Sequence, residues 1–356
     1  MKVLITGSNG LIGSQCVRFF CPKSDEVIGI DNDMRSYFFG EDSSTKDVGE
    51  ILKEDFDNFN GYEIDIRDKT ALEKVFEDNK FDLIIHTAAQ PSHDWAAREP
   101  LTDFSVNAGG TMNLLELYRT YSPDASFIFT STNKVYGDTP NHLNLKEEET
   151  RIEYYDEKGN LGSIDESMSI DNCLHSVFGA SKTGADVMVQ EYGKYFGLKT
   201  GVFRGGCLTG PSHKGAELHG FLSYLIKCMV QGKPYTVYGT GKQVRDNIHS
   251  WDLANLFWHF YKNPKRGEVY NVGGGRNNSI SILEAIHQVN RLLSEHNLPE
   301  WRDFSIEKDN WRMGDHKWYI SDLSKINKDF PEWEIQYPLR TLLKEMVVKE
   351  MGETRI

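Results

Sequence analysis

Residues 2–14 read Lys2-Val3-Leu4-Ile5-Thr6-Gly7-Ser8-Asn9-Gly10-Leu11-Ile12-Gly13-Ser14, and this stretch decides the fold. The run from Lys2 to Thr6 is short, apolar and rich in β-branched residues, the pattern of a strand buried on both faces. It passes without a linker into Gly7-x-x-Gly10-x-x-Gly13, where helical spacing begins at Leu11. In such a strand-to-helix turn each glycine has a physical task. Gly7 permits the tight turn, Gly10 lets backbone approach a ligand phosphate, and Gly13 lets the helix pack close to the strand. The N–H groups at the helix start and their partial positive charge suit a pyrophosphate.

A second strand pattern ends in Ile28-Gly-Ile-Asp31, at about the 20-residue interval expected after such a glycine motif. A carboxylate there accepts hydrogen bonds from the adenosine ribose and repels a 2′-phosphate, so the pair of features predicts NAD rather than NADP. Arg35 is the nearby residue that would favour the phosphorylated form. Further strands are expected at 82–86, 126–130 and 200–204, and crossover helices at 101–121 and 179–196. The order predicts a Rossmann-type, doubly wound parallel α/β sheet with a smaller mixed α/β substrate domain. Residues 1–204 and 236–265 are assigned to the NAD-binding part, and 205–235 and 266–356 to the smaller one. Segments 32–60 and 141–171 are polar with little periodicity and read as loops or insertions.

Composition narrows the ligands. The 356 residues suffice for about two units with sizeable cores. Acidic residues exceed basic ones by 53 to 40, a formal charge of −13, which argues against nucleic acid as partner and leaves a small phosphate-bearing ligand. No apolar run reaches the roughly 18 residues of a membrane span. The N-terminal stretch lacks the charged and apolar regions of a signal peptide, so a cytoplasmic protein is expected. Five cysteines make no Cys-x-x-Cys pair and the eleven histidines make no His-Glu-x-x-His pattern, so neither a disulfide framework nor a metal site is expected.

Several stretches together resemble the extended short-chain dehydrogenase/reductase family, which modifies nucleotide-activated sugars. Asp65-Ile66 resembles its adenine-flanking pair, His86-Thr-Ala-Ala-Gln90 its cofactor-lining strand end, and Asn107-Ala-Gly-Gly-Thr111 its Asn-x-x-Gly-Thr helix start. The resemblance assigns to the cofactor Leu11, Ile12, Asn32, Thr87, Ala88, Ala89, Asn107, Thr130 and Lys182, besides the glycines, Asp31, Asp65 and Ile66. Ser131-Thr-Asn-Lys-Val-Tyr-Gly-Asp138 carries Asn133-Lys134 where 4,6-dehydratases of the family have an Asp-Glu pair, which argues against dehydration. With His175-Ser176 and Gly241-Lys-Gln-Val-Arg-Asp246, it is similar to the CDP-paratose 2-epimerase (CDP-tyvelose epimerase) branch.

The resemblance also implies a Tyr followed four residues later by a Lys, one helical turn apart, with the Lys lowering the phenol's pKa and binding the nicotinamide ribose. This chain reads Phe178-Gly-Ala-Ser-Lys182. Lys182 is in place and the phenol is missing. The chain is then a natural variant with another base, an inactivated form, or a binder without the chemistry; the neighbouring Val177, where Pro is expected, favours natural divergence. His93, followed by Asp94, is the candidate replacement base because imidazole titrates near neutrality, and Thr132 is expected to bond the reacting hydroxyl.

For the nucleotide sugar, the family's pattern implies Arg245 in Arg245-Asp-Asn-Ile-His249 and Arg312 on the diphosphate, whose oxygens suit planar guanidinium forks. It also implies Tyr238 and His219 near the nucleotide, and Gln90, Thr132 and Asn133 at the sugar. The expected reaction is epimerisation, at C2 of a CDP-sugar-like substrate, by transient oxidation and hydride return. A nucleotide-sugar dehydrogenase, a C4 epimerase and a silent NAD-binding protein stay as alternatives. The two long helices are those that relatives pair into an intersubunit bundle, which implies a homodimer or homotetramer.

Overall fold

The computed structural model describes residues 1–215, 220–311 and 314–352. Seven strands form one sheet: β1 (Lys2–Thr6), β2 (Glu26–Asp31), β3 (Phe59–Glu63), β4 (Leu83–His86), β5 (Ser126–Thr132), β6 (Lys199–Gly205) and β7 (Glu268–Val272). Their order across the sheet is β7-β6-β5-β4-β1-β2-β3, and every neighbouring pair is parallel. The chain therefore reverses its direction of winding between β1 and β4. Ligands of such sheets bind at this switch, beyond the strands' C-terminal ends.

Alternation along β1 shows why both faces are covered. Val3 and Ile5 join one apolar cluster with helix α1 (Leu11–Phe20) and the helix Ser250–Lys262, whereas Leu4 joins the cluster under the helices on the other face. Those helices include α2 (Thr111–Tyr121) and α3 (Ser176–Lys194). A third cluster lies in the smaller part, among the helices Phe221–Gln231, Ile282–Glu295 and Leu339–Glu350.

Two segments read as loops hold regular structure. Residues 32–60 contain the helices Met34–Phe39 and Lys46–Asp55. Asp33 organises them from a left-handed backbone (φ 52°), its carboxylate accepting from Thr45 N at 2.8 Å and Ser44 Oγ at 2.7 Å. This polar clasp has no hydrophobic period to betray it. Residues 141–171 include an antiparallel pair, Leu145–Glu147 with Ile152–Tyr154. The expected helix over 101–121 is one run in three parts, with a π-helical turn at Ser105–Gly110 between Pro100–Phe104 and Thr111–Tyr121. Such turns are often found at functional sites.

The boundary between the two parts also differs from the sequence reading. β7, at 268–272, completes the large sheet, although 266–356 had been assigned to the smaller part. Val244–His249, assigned to the NAD-binding part, instead pairs with Ser279–Ser281, Trp318–Tyr319 and Cys207–Thr209 in a small separate sheet. The helix Ser250–Lys262 does pack on α1, through Trp251 on Phe19 (5.6 Å) and Trp258 on Phe20 (6.3 Å).

A buried ion pair fixes α3 to the sheet. Asp186 is wholly buried and receives Arg204 Nε and an Arg204 terminal nitrogen at 3.0 and 2.9 Å, and Ser131 Oγ at 2.6 Å. Asp186→Ala would leave the guanidinium buried without its counter-ion, and we expect it to cost about 3–5 kcal/mol in urea unfolding. An unchanged unfolding midpoint would refute that anchoring role.

No helix among the described residues is long and apolar enough to cross a membrane. The described residues include no group of three or more His, Cys, Asp or Glu placed to hold a metal ion, and no disulfide.

Candidate active site

A cavity of about 1040 Å³ opens at the switch between β1 and β4 and runs into the smaller part. One end is built by the glycine turn. Gly7 (φ +71°) donates its N–H to Ile30 O at 2.7 Å, and a Cβ on it would lie 2.8 Å from Ala88 N. Gly13 does not line the cavity; it permits packing, since a Cβ there would lie 1.9 Å from Gly7 O. Gly10 differs. Its Cβ would meet only Gly7 O, at 3.4 Å, so the space it leaves open belongs to the cavity, which Leu11 and Ile12 also line.

Asp31 lies at the same end, accepting from Asn9 N at 3.0 Å and Asp33 N at 2.9 Å. Burial raises its pKa, and these N–H groups oppose the rise. Asn32, bonded through Nδ2 to Asp65 at 3.0 Å, lines the wall with Asp65 and Ile66. Arg35 also lines it, stacked 5.0 Å over Phe39, with burial pulling its pKa down to about 10. A clasp closes this end: Arg35 donates to the carbonyl of Lys214, and Lys214 Nζ meets Asp47 Oδ1 and Ser44 O, both at 2.6 Å. Asp31→Ala is expected to weaken NAD binding by roughly 10–100-fold, the worth of a charge-assisted hydrogen bond, while NADP loses less because Arg35 remains. Equilibrium titration with both cofactors checks it; equal losses would refute the selectivity role.

At the centre, Thr87, Ala88, Ala89 and Thr130 line the wall. Thr130 Oγ1 is buried with no hydrogen-bond partner among the described residues, an orphan polar atom of the kind a ligand satisfies. Lys182 Nζ donates to Thr130 O at 2.9 Å and sits 4.1 Å over the Phe129 ring. Burial pulls its pKa down to about 7, against the pull of Asp186 and Asp103. The open glycine turn, the carboxylate at Asp31 and this orphan hydroxyl fit a dinucleotide laid across the switch.

Beyond Lys182 the cavity is lined by Thr132, Asn133, Phe178, His93 and Arg245. The His93 and Phe178 rings meet edge to face at 5.0 Å, and His93 Nδ1 lies 2.9 Å from Ser176 Oγ. The candidate base and the missing phenol's position are thus neighbours. Lys134 and Asp315, neither singled out from sequence as site residues, line the same end. The sequence reading names Lys134 only as half of the Asn133-Lys134 pair that argues against dehydration and gives it no place in the site; nothing in the sequence pairs it with Asp315.

Besides Gly13, three residues expected in the site lie off the cavity wall. Gln90 and Asn107 are buried away from the cavity in a network on Asp103, whose Oδ1 accepts from Gln90 Nε2 at 2.8 Å and Asn107 Nδ2 at 3.0 Å. They bind the strand end to the π-helical turn instead of facing a ligand. Tyr238 lies on the strand Tyr235–Tyr238, paired with Phe304–Glu307, outside the cavity wall; its carbonyl accepts from Gln243, which does line the cavity. His219 and Arg312 lie outside the described residues.

The chain is similar to known proteins. The model of the NAD dependent epimerase/dehydratase family matches residues 3–273. The chain belongs to this family. NAD is accordingly its cofactor, in agreement with the fit above. A CDP-paratose 2-epimerase of Salmonella typhi is 32% identical over 333 residues, covering 92% of each chain. A dTDP-glucose 4,6-dehydratase of Salmonella typhimurium is 29% identical over 304 residues, 83% of this chain and 77% of that one. Among solved structures, the UDP-glucuronic acid 4-epimerase of Bacillus cereus, in complex with UDP-glucuronic acid and NAD, superimposes with a TM-score of 0.77. It is 23% identical, with 99% of both chains covered. Family members thus include both epimerases and dehydratases acting on nucleotide sugars.

Proposed function

We propose that the chain epimerises a nucleotide sugar, at C2 of a CDP-sugar-like substrate, by transient oxidation. The observation that carries this reading is the meeting of His93 with Phe178 at the cavity end that Thr132 and Lys182 also line. Bound NAD supplies reversible hydride acceptance at the sugar carbon. His93 would take the hydroxyl proton as the carbinol becomes a ketone and would return it to that oxygen as the carbinol re-forms. Thr132 hydrogen-bonds the reacting oxygen, and Lys182 holds the nicotinamide ribose. Phe178 packs the His93 ring in place, while Arg245 would grip the diphosphate. The likeness to the Salmonella typhi enzyme supports C2 over C4.

A panel of CDP-, UDP- and dTDP-sugars turned over in deuterated water and read by NMR tests this. Inversion without solvent deuterium is expected. Solvent label at the inverted carbon would demand a deprotonation route, accumulating NADH would mean a dehydrogenase, and no turnover would leave a binding protein.

The same reading includes a homodimer or homotetramer built on the two long helices. Leu101 and Phe104 leave 87% and 59% of their surface exposed on that side of the fold, and Val187 on α3 is also exposed. Such apolar exposure suits a second copy. Sedimentation of Leu101→Glu beside the unaltered chain tests it, and a monomer in both would sink it.

A further inference from the structure

His93 opens a helix of six residues, His93–Arg98, too short to be stable on its own hydrogen bonds. Successive helical residues turn by about 100°, so His93 and Trp95, two apart, point to opposite sides. On one side His93 meets Phe178 and Ser176 of α3. On the other, Trp95 meets the helix Met34–Phe39, whose Met34, Arg35 and Phe38 line the cavity end marked by Asp31.

This joint is made of three rings and two hydrogen bonds. Trp95 lies 5.5 Å from Phe38, edge to face, and 5.1 Å from Tyr37, and its Nε1 donates to the Phe38 carbonyl. Tyr37 Oη donates to Glu99 Oε1 at 2.9 Å, at the residue that ends the helix His93–Arg98. Phe38 is buried, and its helix is anchored in turn by the Asp33 clasp, so it can serve as the fixed partner. We propose that Trp95 is a positioning residue which, through Phe38 and Tyr37, holds the His93 ring against Phe178. This rests on the reading of His93 as the base and extends it to the residue that places the ring. The segment between β2 and β3 then serves the base as well as the cofactor.

NMR of the NAD-loaded protein with isotope-labelled histidine tests the placement, the His93 ring signal being the one that His93→Asn removes. Trp95→Leu should displace that signal while those of His259 and His287, on other helices, hold and certify the fold. Tyr37→Leu, at a ring 55% exposed, should displace it less and decides the matter if Trp95→Leu does not fold. A His93 signal unmoved in the folded variant would overturn the proposal. With a sugar turned over in the panel above, Trp95→Leu should lower turnover about tenfold to a hundredfold, the cost of a misplaced group. Added to His93→Asn it should cost less than about twofold, because the ring it places is gone. Equal losses in both backgrounds would make Trp95 merely structural and overturn the proposal. Full turnover in His93→Asn would instead overturn the reading of His93 as base, and the NMR displacement would still decide what holds the ring.

Discussion

Gly13→Val is expected to purify without NAD and to lose about 3 kcal/mol or more of stability, the upper range for overpacking. The added Cβ would lie 1.9 Å from Gly7 O and 2.8 Å from Ser8 Cα. The turn cannot yield, because Gly7 is itself wedged against Ala88 N and Thr87 Oγ1 and tied to β2 through Ile30 O. Moving it shifts the floor on which a pyrophosphate would rest. Gly10→Ala gives the contrast. Its Cβ meets only Gly7 O, at 3.4 Å, so the protein should fold with nearly its normal stability while NAD content falls. Cofactor content after purification and urea unfolding separate the two effects. Stoichiometric NAD in Gly13→Val would refute the argument.

His93→Asn is expected to lower turnover by roughly 10²–10⁴-fold, the usual worth of a positioned acid or base, with NAD content unchanged. Asparagine can keep a hydrogen bond to Ser176 Oγ but cannot carry the proton. Adding Phe178→Tyr to that variant places a phenol on the ring that now lies 5.0 Å from the imidazole, one helical turn from Lys182. The double variant should recover much of the lost rate, since Lys182, whose pKa burial brings to about 7, remains beside it. Single-turnover rates of the three proteins decide the matter. Full activity in His93→Asn alone would remove His93 from the mechanism.

What could be read in advance followed the strength of local pattern. β1, β2 and the intervening glycine turn were legible because a buried parallel strand, a positive-φ glycine and a ribose carboxylate each leave a mark in consecutive residues. β3 left none, because Phe59–Glu63 is an edge strand with only Phe59 buried. β7 follows the break in regular strand–helix alternation after β6, so its segment read with the smaller part.

At the site, matched motifs located backbone and not side-chain direction. Gln90 follows three cavity-lining residues, yet its amide turns inward to Asp103, and Asn107 does the same. The contacts at the cavity end beyond Lys182 join residues far apart, His93 with Phe178 and Lys134 with Asp315, and no periodicity reports such meetings. The two members of each pair could be seen singly. Their association required the fold.

The clasp between Arg35, Lys214 and Asp47 bears on how long the dinucleotide stays. Under the proposed cycle the cofactor is restored within each turnover, so exchange with the surrounding pool serves no purpose. Parting these two segments would be the slow step of escape at the adenine end. Asp47 is 61% exposed, so salt screens its bond to Lys214. Residence time, and not affinity alone, would then shorten with ionic strength, and the protein would behave in dilute salt as though its redox partner were a prosthetic group.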